Sequence, residues 1–251
     1  MVQAHKLDLA YRSETGPVRK SNQDTIGTDE AAGIVIVADG MGGANGGEIA
    51  SQLAVDLLMQ YFTDDERNPV NESDHQLQES LSVVNNAILE AAEQMPELQG
   101  MGTTLVLGMF DENHLRYAHV GDSRLYRLRN GKLTPLTRDH SLIEDMIDKQ
   151  VFSSSLEAIE AGVPRNILSK AFGTAPNVKA EIAKTNIKAG DIYLFCSDGL
   201  TSIVSDEKIE DALLSTDKNL IKQVDRLIEN ACNNGGTDNI SIVLVSIDEA
   251  A

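Results

Sequence analysis

The chain has 251 residues, 39 acidic and 21 basic, and a formal net charge of −18. This charge excludes nucleic acid or an anionic membrane as the main partner, since phosphate would be repelled. Two cysteines give no disulfide framework, the first residues lack the apolar core of a signal peptide, and no stretch is long enough to span a membrane. We therefore expect a soluble, cytoplasmic monomer.

The first half of the chain alternates between strand and helix patterns. An apolar run over residues 33–38 predicts a buried strand, which leads into a glycine-rich turn. Apolar side chains then recur at spacings of three and four over residues 46–61, which predicts a helix. Residues 63–76 are polar and predict a loop, and residues 77–95 predict a second helix.

The middle of the chain favours strands. Four short apolar runs are separated by short turns, at residues 103–110, 114–120, 124–128 and 132–136. Because short turns join antiparallel neighbours, this pattern predicts a meander. Residues 142–172 show no clean period and predict a mobile flap insertion that covers a site.

The last part of the chain contains strand patterns at residues 192–197 and 240–245 and helix patterns at 206–214 and 220–231. The helices thus form two groups, and each group must bury its apolar stripe against a sheet. The economical fold is α+β: a four-layer αββα sandwich, with two antiparallel sheets packed face to face and helices outside. We expect one domain over residues 1–251.

Three acidic turns stand beside apolar runs. Asp39 and Asp198 each follow a strand pattern, and Asp238 comes just before the last one. A single Asp-Gly pair is most often only a turn, but a buried carboxylate is costly unless a cation neutralises it. Carboxylates are the ligands that Mg²⁺ and Mn²⁺ prefer. Together the three turns predict a divalent-metal site.

The glycine-rich turn after Asp39 has two possible roles. A nucleotide-binding loop is rejected, because the Gly-x-Gly-x-x-Gly frame fails at Asn45. We expect instead that the glycines free the carbonyl of Gly40 for a metal. Arg19 lies in a polar stretch that would ordinarily be a solvated loop, but beside a metal site its planar guanidinium suits a phosphate.

Seven polar motifs follow one another along the chain: Arg19-x-x-Asn22-Gln23-Asp24, Asp39-Gly40-Met41-Gly42-Gly43 with Gly46-Gly47, Gly102-Thr103-Thr104, His119-Val120-Gly121-Asp122-Ser123-Arg124, Leu136-Thr137-Arg138-Asp139-His140-Ser141, Cys196-Ser197-Asp198-Gly199 and Gly236-Thr237-Asp238-Asn239. In this order they resemble the motifs of PP2C-type (PPM) metal-dependent serine/threonine protein phosphatases of the compact bacterial subgroup. The resemblance covers residues 8–247. It implies the same layered fold.

The resemblance also implies a ligand set for two Mn²⁺ or Mg²⁺ ions. Asp39 would bridge the two ions, and the Gly40 carbonyl would complete the first. Asp198 and Asp238 would hold the second ion. Asp122, together with Asp198, matches the position of a weaker third ion in bacterial members.

The implied reaction is direct attack on phosphorus by a water molecule activated between the two metals. Asp24 would hydrogen-bond metal-bound water, and Arg19 would bind the substrate phosphate. Met41 stands where eukaryotic relatives carry a histidine proposed as general acid, and a thioether cannot donate a proton. His140 is a candidate acid, although we favour a role in anchoring its own turn.

The implied partners are phosphorylated proteins and a cognate serine/threonine kinase whose signalling the enzyme opposes. We expect specificity to lie in residues 142–172. Two other functions remain open. A pseudophosphatase would bind partners without catalysis, but it would be expected to lose a metal ligand. A hydrolase of small phosphate esters would share every active-site motif.

Overall fold

The computed structural model describes residues 5–43, 46–63, 73–215 and 218–249. Every strand pairing in this part is antiparallel. One five-stranded sheet, the first sheet, contains in spatial order β1 (His5–Glu14), β11 (Ile240–Glu249), β10 (Ile192–Cys196), β7 (Arg124–Arg129) and β8 (Lys132–Pro135). The second sheet contains β2 (Asp24–Asp29), β3 (Ile34–Met41), β5 (Leu105–Phe110), β6 (His114–Val120) and β9 (Glu181–Asn186), and β4 (Gly102–Thr103) pairs with β3.

The helices fall into three groups along the chain. They are α1 (Gly46–Phe62) and α2 (Asp74–Gln94), then α3 (Leu142–Asp148) and α4 (Ser155–Glu160), then α5 (Asp198–Thr201), α6 (Asp206–Leu213) and α7 (Leu220–Asn233), with a short 3₁₀ turn at Pro96–Leu98. In the described part of the chain, no helix combines the length and apolarity needed to span a bilayer.

The core has three layers of buried side chains. Residues from both sheets, such as Val37 and Phe195, pack between the sheets. Helices α1 and α2 cover the outer face of the second sheet through residues such as Leu58, and α7 covers the first sheet through residues such as Leu227. Each of these side chains contributes about 1.5–3 kcal/mol by burial. The predicted four-layer αββα sandwich is confirmed.

The central strands are apolar on both faces, because each face meets a different core. In β11, Ile242 and Leu244 contact the helix layer, whereas Val243 and Val245 lie between the sheets. The same alternation holds in β3. This double burial explains why these strands read as continuous apolar runs in the sequence.

The strands that the sequence did not predict lie mainly at sheet edges. β1, β2 and β9 are each the last strand of their sheet. An edge strand pairs on one side only and carries polar residues, as in the half-exposed run Glu181–Asn186 of β9. Its apolar alternation is therefore too weak to separate it from a loop.

The predicted meander is wrong at its centre. β5 pairs with β6 in the second sheet, but β7 and β8 belong to the first sheet. The short connection at residues 121–123 therefore crosses between the sheets instead of folding back within one. Its length is compatible with both outcomes, and only the packing of the two sheets distinguishes them.

The predicted helices nearly coincide with the observed ones. Helix α2 begins at Asp74 instead of residue 77, because Ser73 and Gln76 form a reciprocal capping box. Of the predicted loop 63–76, residues 64–72 lie outside the described residues. The region 142–172, which showed no clean period, contains the short helices α3 and α4, capped by the hydroxyls of Ser141 and Ser154.

Candidate metal centre

The five aspartates singled out from the sequence lie at one end of the sandwich. Each is carried by a different part of the chain: Asp24 begins β2, Asp39 is in β3, Asp122 is in the β6–β7 connection, Asp198 begins α5, and Asp238 precedes β11. Asp24 and Asp39 are directly opposite each other in the β2–β3 ladder. The structure therefore brings residues far apart in sequence into one acidic cluster.

The charges of this cluster act on one another. Burial and the charges of the other four aspartates raise the pKa of Asp39 well above its ordinary value. Burial and the neighbouring charges also raise the pKa of Asp198, despite a hydrogen bond from Asp39, and raise the pKa of Asp122 to about 7. Carboxylates that repel one another in this way gain most from multivalent counter-charge. The residues present therefore fit divalent cations.

Asp39 lies inside a strand instead of in the turn expected from the sequence. The strand continues to Met41 because Gly40 and Met41 pair with Thr103 and Gly102 of β4. At Gly40 a Cβ atom would lie 1.9 Å from the carbonyl oxygen of Gly47 in the first turn of α1. The glycine thus permits the close approach of α1 to β3 beside the acidic cluster.

Thr104 fixes the backbone of Asp39 from both directions. The N–H of Thr104 donates to the carbonyl of Asp39 at 2.8 Å, and the N–H of Asp39 donates to Oγ1 of Thr104 at 3.0 Å. The same Oγ1 lies 2.7 Å from Oγ of Ser123, next to Asp122. Although Thr104 stands in one of the seven motifs, the sequence assigned it no role.

Asp24 is the most enclosed of the five, with 8% of its surface exposed. Burial raises its pKa to about 7, although hydrogen bonds from Ser197 and Ser241 oppose the shift. Oγ of Ser197 donates to Oδ2 at 2.7 Å, while Oδ1 has no hydrogen-bond partner in the described part of the chain. An unsatisfied buried acceptor of this kind suits a water molecule or a cation.

Asp198 and Asp238 are brought together by tight backbone packing. A Cβ atom at Gly199 would lie 1.9 Å from the carbonyl oxygen of Asn239, so only glycine allows the two segments to approach. The side chain of Asn239 also binds the loop before β2: its amide nitrogen donates to the carbonyls of Thr15 and Ser21, both at 2.9 Å. This loop carries Arg19.

Arg19 is close to the acidic cluster, as the sequence predicted, but it makes contacts that the sequence did not predict. Its Nη2 binds Oδ2 of Asp238 at 2.6 Å, and its Nε donates to the carbonyl of Thr237 at 3.2 Å. Nη1 makes no hydrogen bond to any residue that the structure describes. The edge of the guanidinium with Nε and Nη2 therefore orients the side chain, and Nη1 can bind an anion.

The insertion at residues 142–172 forms one wall of a cavity beside the cluster. This cavity of about 200 Å³ lies between Asp122 and Asp198 on one side and Glu144 and Arg165 of the insertion on the other. The expectation that the insertion covers a site agrees with this arrangement. Arg124 also lines the cavity, and its guanidinium binds both carboxylate oxygens of Asp139, at 2.8 and 2.7 Å.

Neither Met41 nor His140 is placed to donate a proton to a leaving group in the cluster. Met41 is half-buried and has no dissociable proton. His140 is 5% exposed, and both of its ring nitrogens are hydrogen-bonded, Nδ1 to the N–H of Gly121 and Nε2 to Glu181. This geometry favours the anchoring role for His140.

Comparison with known proteins gives a consistent result. Residues 18–241 match the family model described as Protein phosphatase 2C. The serine/threonine protein phosphatase PstP of Mycobacterium tuberculosis is 37% identical over 241 residues, and serine/threonine phosphatase stp of Listeria monocytogenes is 36% identical over 246 residues. The match covers 96% of the chain in both cases.

The two relatives differ in the share of their own length that is matched. It is 96% for the Listeria protein but 45% for PstP, so the chain spans less than half of that relative. The crystal structure of the PstP catalytic domain in complex with two manganese ions matches 98% of this chain and 100% of that domain. Its TM-score is 0.85 at 35% identity.

Proposed function

The chain belongs to the protein phosphatase 2C family, and from this premise we propose that it is a metal-dependent phosphatase that removes phosphate from phosphoserine and phosphothreonine in proteins. The observation that carries the proposal is the cluster of five aspartates with Arg19 at its edge. A cluster of this charge suits cations, and a guanidinium beside it suits the phosphate of a substrate. A dinuclear Mn²⁺ or Mg²⁺ site agrees with the two manganese ions of the related PstP domain.

The ligand set implied by the family agrees with the positions of these residues. Asp39, on the strand at the centre of the cluster, would bridge two ions, with the Gly40 carbonyl completing the first. Asp198 and Asp238, which the Gly199 contact brings together, would hold the second. Asp122 would hold a weaker third ion with Asp198, because both line the cavity below the insertion.

When bound, such ions lower the pKa of a water molecule between them and stabilise negative charge on the phosphoryl group. The protein's own residues supply position. Oδ1 of Asp24 would accept a hydrogen bond from metal-bound water, and Nη1 of Arg19 would donate to a phosphate oxygen. Asp238 holds the guanidinium at the edge of the cluster, so Arg19 loses little side-chain entropy on binding.

No cysteine takes part in this scheme. Cys196 is buried, and burial raises the pKa of its thiol to about 12, so the thiolate of a cysteine-dependent phosphatase would not form. Met41 cannot supply the proton for the leaving serine or threonine oxygen and His140 is engaged elsewhere, so this proton comes from another group in the cleft.

We further propose that residues 1–251 act as one domain, which the core shared by both sheets supports. Phosphorylated proteins would be the substrates, a cognate serine/threonine kinase would be opposed, and the insertion would select among substrates. The free thiols Cys196 and Cys232 agree with a reducing compartment such as the cytoplasm, and we propose a monomer there.

The test compares turnover of phosphoserine and phosphothreonine peptides with turnover of phosphorylated metabolites at increasing Mn²⁺ concentration. We expect metal-dependent turnover with higher kcat/KM on the peptides, and its loss in Asp198→Asn and Asp238→Asn. Preference for metabolites would favour the small-ester hydrolase. Binding of phosphopeptides without turnover on any substrate would favour the pseudophosphatase.

A further inference from the structure

His140 contacts the connection that carries Asp122 at two points. The backbone N–H of His140 donates to the carbonyl of Gly121 at 2.9 Å, and the N–H of Gly121 donates to Nδ1 of His140 at 3.1 Å. Both residues are buried, so water is a poor replacement for either bond. The residue directly before Asp122 is thus held by backbone and side chain of the same histidine.

The ring of His140 is itself held in one orientation. Because Nδ1 accepts the Gly121 proton, Nε2 carries the proton of the neutral ring and donates to Oε1 of Glu181 at 2.9 Å. The ring of His119 stacks on it, with centroids 4.7 Å apart and planes inclined by 1°. Nε2 of His119 in turn donates to the carbonyl of Arg138 at 2.8 Å.

The same histidine stands where the two ends of the insertion meet. Its carbonyl accepts a hydrogen bond from the N–H of Ser169 at 2.9 Å. Next to it, Ser141 forms a bridge with Leu168, and the N–H of Leu142 donates to the carbonyl of Ile167 at 2.8 Å. His140 therefore contacts the Asp122 connection and the base of the insertion at once.

A cation site is the alternative use of this cluster, since ligand atoms of His119, His140 and Glu181 lie within 4.8 Å of one another. Imidazole binds a metal in the plane of its ring. The two rings are parallel and stacked, so one cation cannot lie in both planes. Both nitrogens of His140 are also occupied by hydrogen bonds.

We propose that His140 is a positioning residue, which holds Asp122 in the metal cluster and ties it to the base of the insertion. The proposal rests on the proposed function, because only in a metal-dependent phosphatase would the placement of Asp122 affect turnover. His140 acts through Gly121 and touches neither the metals nor the substrate.

A matched pair of variants tests separately the hydrogen bonds made by Nδ1 and Nε2 of His140. His140→Asn keeps an acceptor near the position of Nδ1, whereas His140→Gln reaches towards Glu181 but leaves the Gly121 N–H without an acceptor. Glu181→Gln is the control, since it keeps an oxygen that can accept from Nε2. Melting temperature and circular dichroism establish that each variant is folded.

The direct readout is amide exchange at Gly121, measured by NMR in the metal-free and in the Mg²⁺-loaded protein. We expect slow exchange in the wild type, His140→Asn and Glu181→Gln, and exchange about tenfold faster in His140→Gln. Fast exchange at Gly121 in the wild type would overturn the proposal, even if His140→Gln does not fold. Unchanged exchange in a folded His140→Gln would overturn it as well.

The second readout is a double-mutant cycle with Asp122→Ala. We expect His140→Gln to lower turnover of an aryl phosphate roughly 10–100-fold, as loss of a ligand's supporting group does. In the Asp122→Ala background it should cost nothing further. Additive losses would show that His140 does not act through Asp122. Absence of turnover in the wild type would refute the proposed function, while the exchange result would still decide the placement of Asp122.

Discussion

Asp39 and Asp122 belong to the same acidic cluster but are held in different ways. Asp39 is part of a strand, with β2 on one side and Thr104 bonded to its backbone in both directions. Asp122 lies on a short connection between two sheets, which is held by the side chain of Thr104 at Ser123 and by the backbone and side chain of His140 at Gly121. A strand positions a ligand through its ladder, whereas a connection needs polar clamps from elsewhere in the chain.

The largest effect is expected from Asp39→Asn. Without the carboxylate that we propose bridges the two ions, turnover should fall on the order of 10²–10³-fold, the scale of losing a central electrostatic group. Calorimetry should show that tight Mn²⁺ binding is lost.

The same substitution should leave the metal-free protein at least as stable as the wild type, because the pKa of Asp39 is raised and its charge is unfavourable there. A drop in the metal-free melting temperature would instead indicate that the variant damages the fold. A different substitution would then be needed to compare Asp39 on its strand with Asp122 on its connection.

Asp122→Ala should have a smaller effect, since it removes one proposed ligand of the proposed third ion. We expect two Mn²⁺ ions to bind as tightly as in the wild type and turnover to fall roughly 10–100-fold. Calorimetry and steady-state kinetics provide the two measurements. Loss of all metal binding would contradict this division between strand-held and connection-held ligands.

Arg19→Ala extends the comparison to another connection, held by Asn239. A charge-assisted hydrogen bond to phosphate is worth about 1.5–3 kcal/mol, so KM should rise about tenfold or more while kcat changes little. The exposed ion pair with Asp238 should add little to stability. Lys20→Ala is the neighbouring control, and an equal rise in KM there would point to general charge attraction.

Thr104→Val tests the one side chain that serves both regions. The substitution keeps the shape but leaves the N–H of Asp39 and the hydroxyl of Ser123 without their partner. We expect the free energy of unfolding to fall by about 1–3 kcal/mol in urea titrations, and Thr104→Ser to retain most of it. Equal stability of the wild type and Thr104→Val would mean that the strand ladder alone holds Asp39.

The last prediction concerns the pH dependence of stability. The pKa values of Asp24 and Asp122 are raised to about 7, so the folded metal-free protein binds more protons than the unfolded chain between about pH 4 and 7. Its stability should therefore decrease as pH rises through this window. Thermal melts should show the decrease, and saturating Mg²⁺ should abolish it. A rise in metal-free stability over this range would show that burial and the neighbouring charges do not raise the pKa values of these carboxyls.

Much of the fold was predictable because burial leaves local patterns. The central strands β3, β10 and β11 are buried on both faces, and the long helices carry apolar stripes. The edge strands β1, β2 and β9 lack such a signal, because each pairs on one side only and carries polar residues.

The site was predictable in part for a similar reason. Asp39, Asp198 and Asp238 are recognisable by residue type and by their place beside apolar runs. Arg19 is recognisable by a guanidinium that suits phosphate, whereas Asp24 and Asp122 were assigned roles only by the resemblance to the family. The residues that hold these site residues in place cannot be recognised in this way. Thr104 and Ser197 are common polar residues whose contacts depend on segments distant in the chain, and although an anchoring role was expected for His140, its contact with Gly121 was not.

Local patterns thus specified a cation-binding chemistry and the elements that carry it, because residue type and burial are encoded within a few neighbouring positions. The packing of the two sheets decided the rest. It sent the connection 121–123 across the sandwich, placed Asp122 beside Asp198, and paired Arg19 with Asp238. These outcomes depend on which distant surfaces bury the most apolar area against each other. Short turns and single residues are compatible with more than one tertiary arrangement.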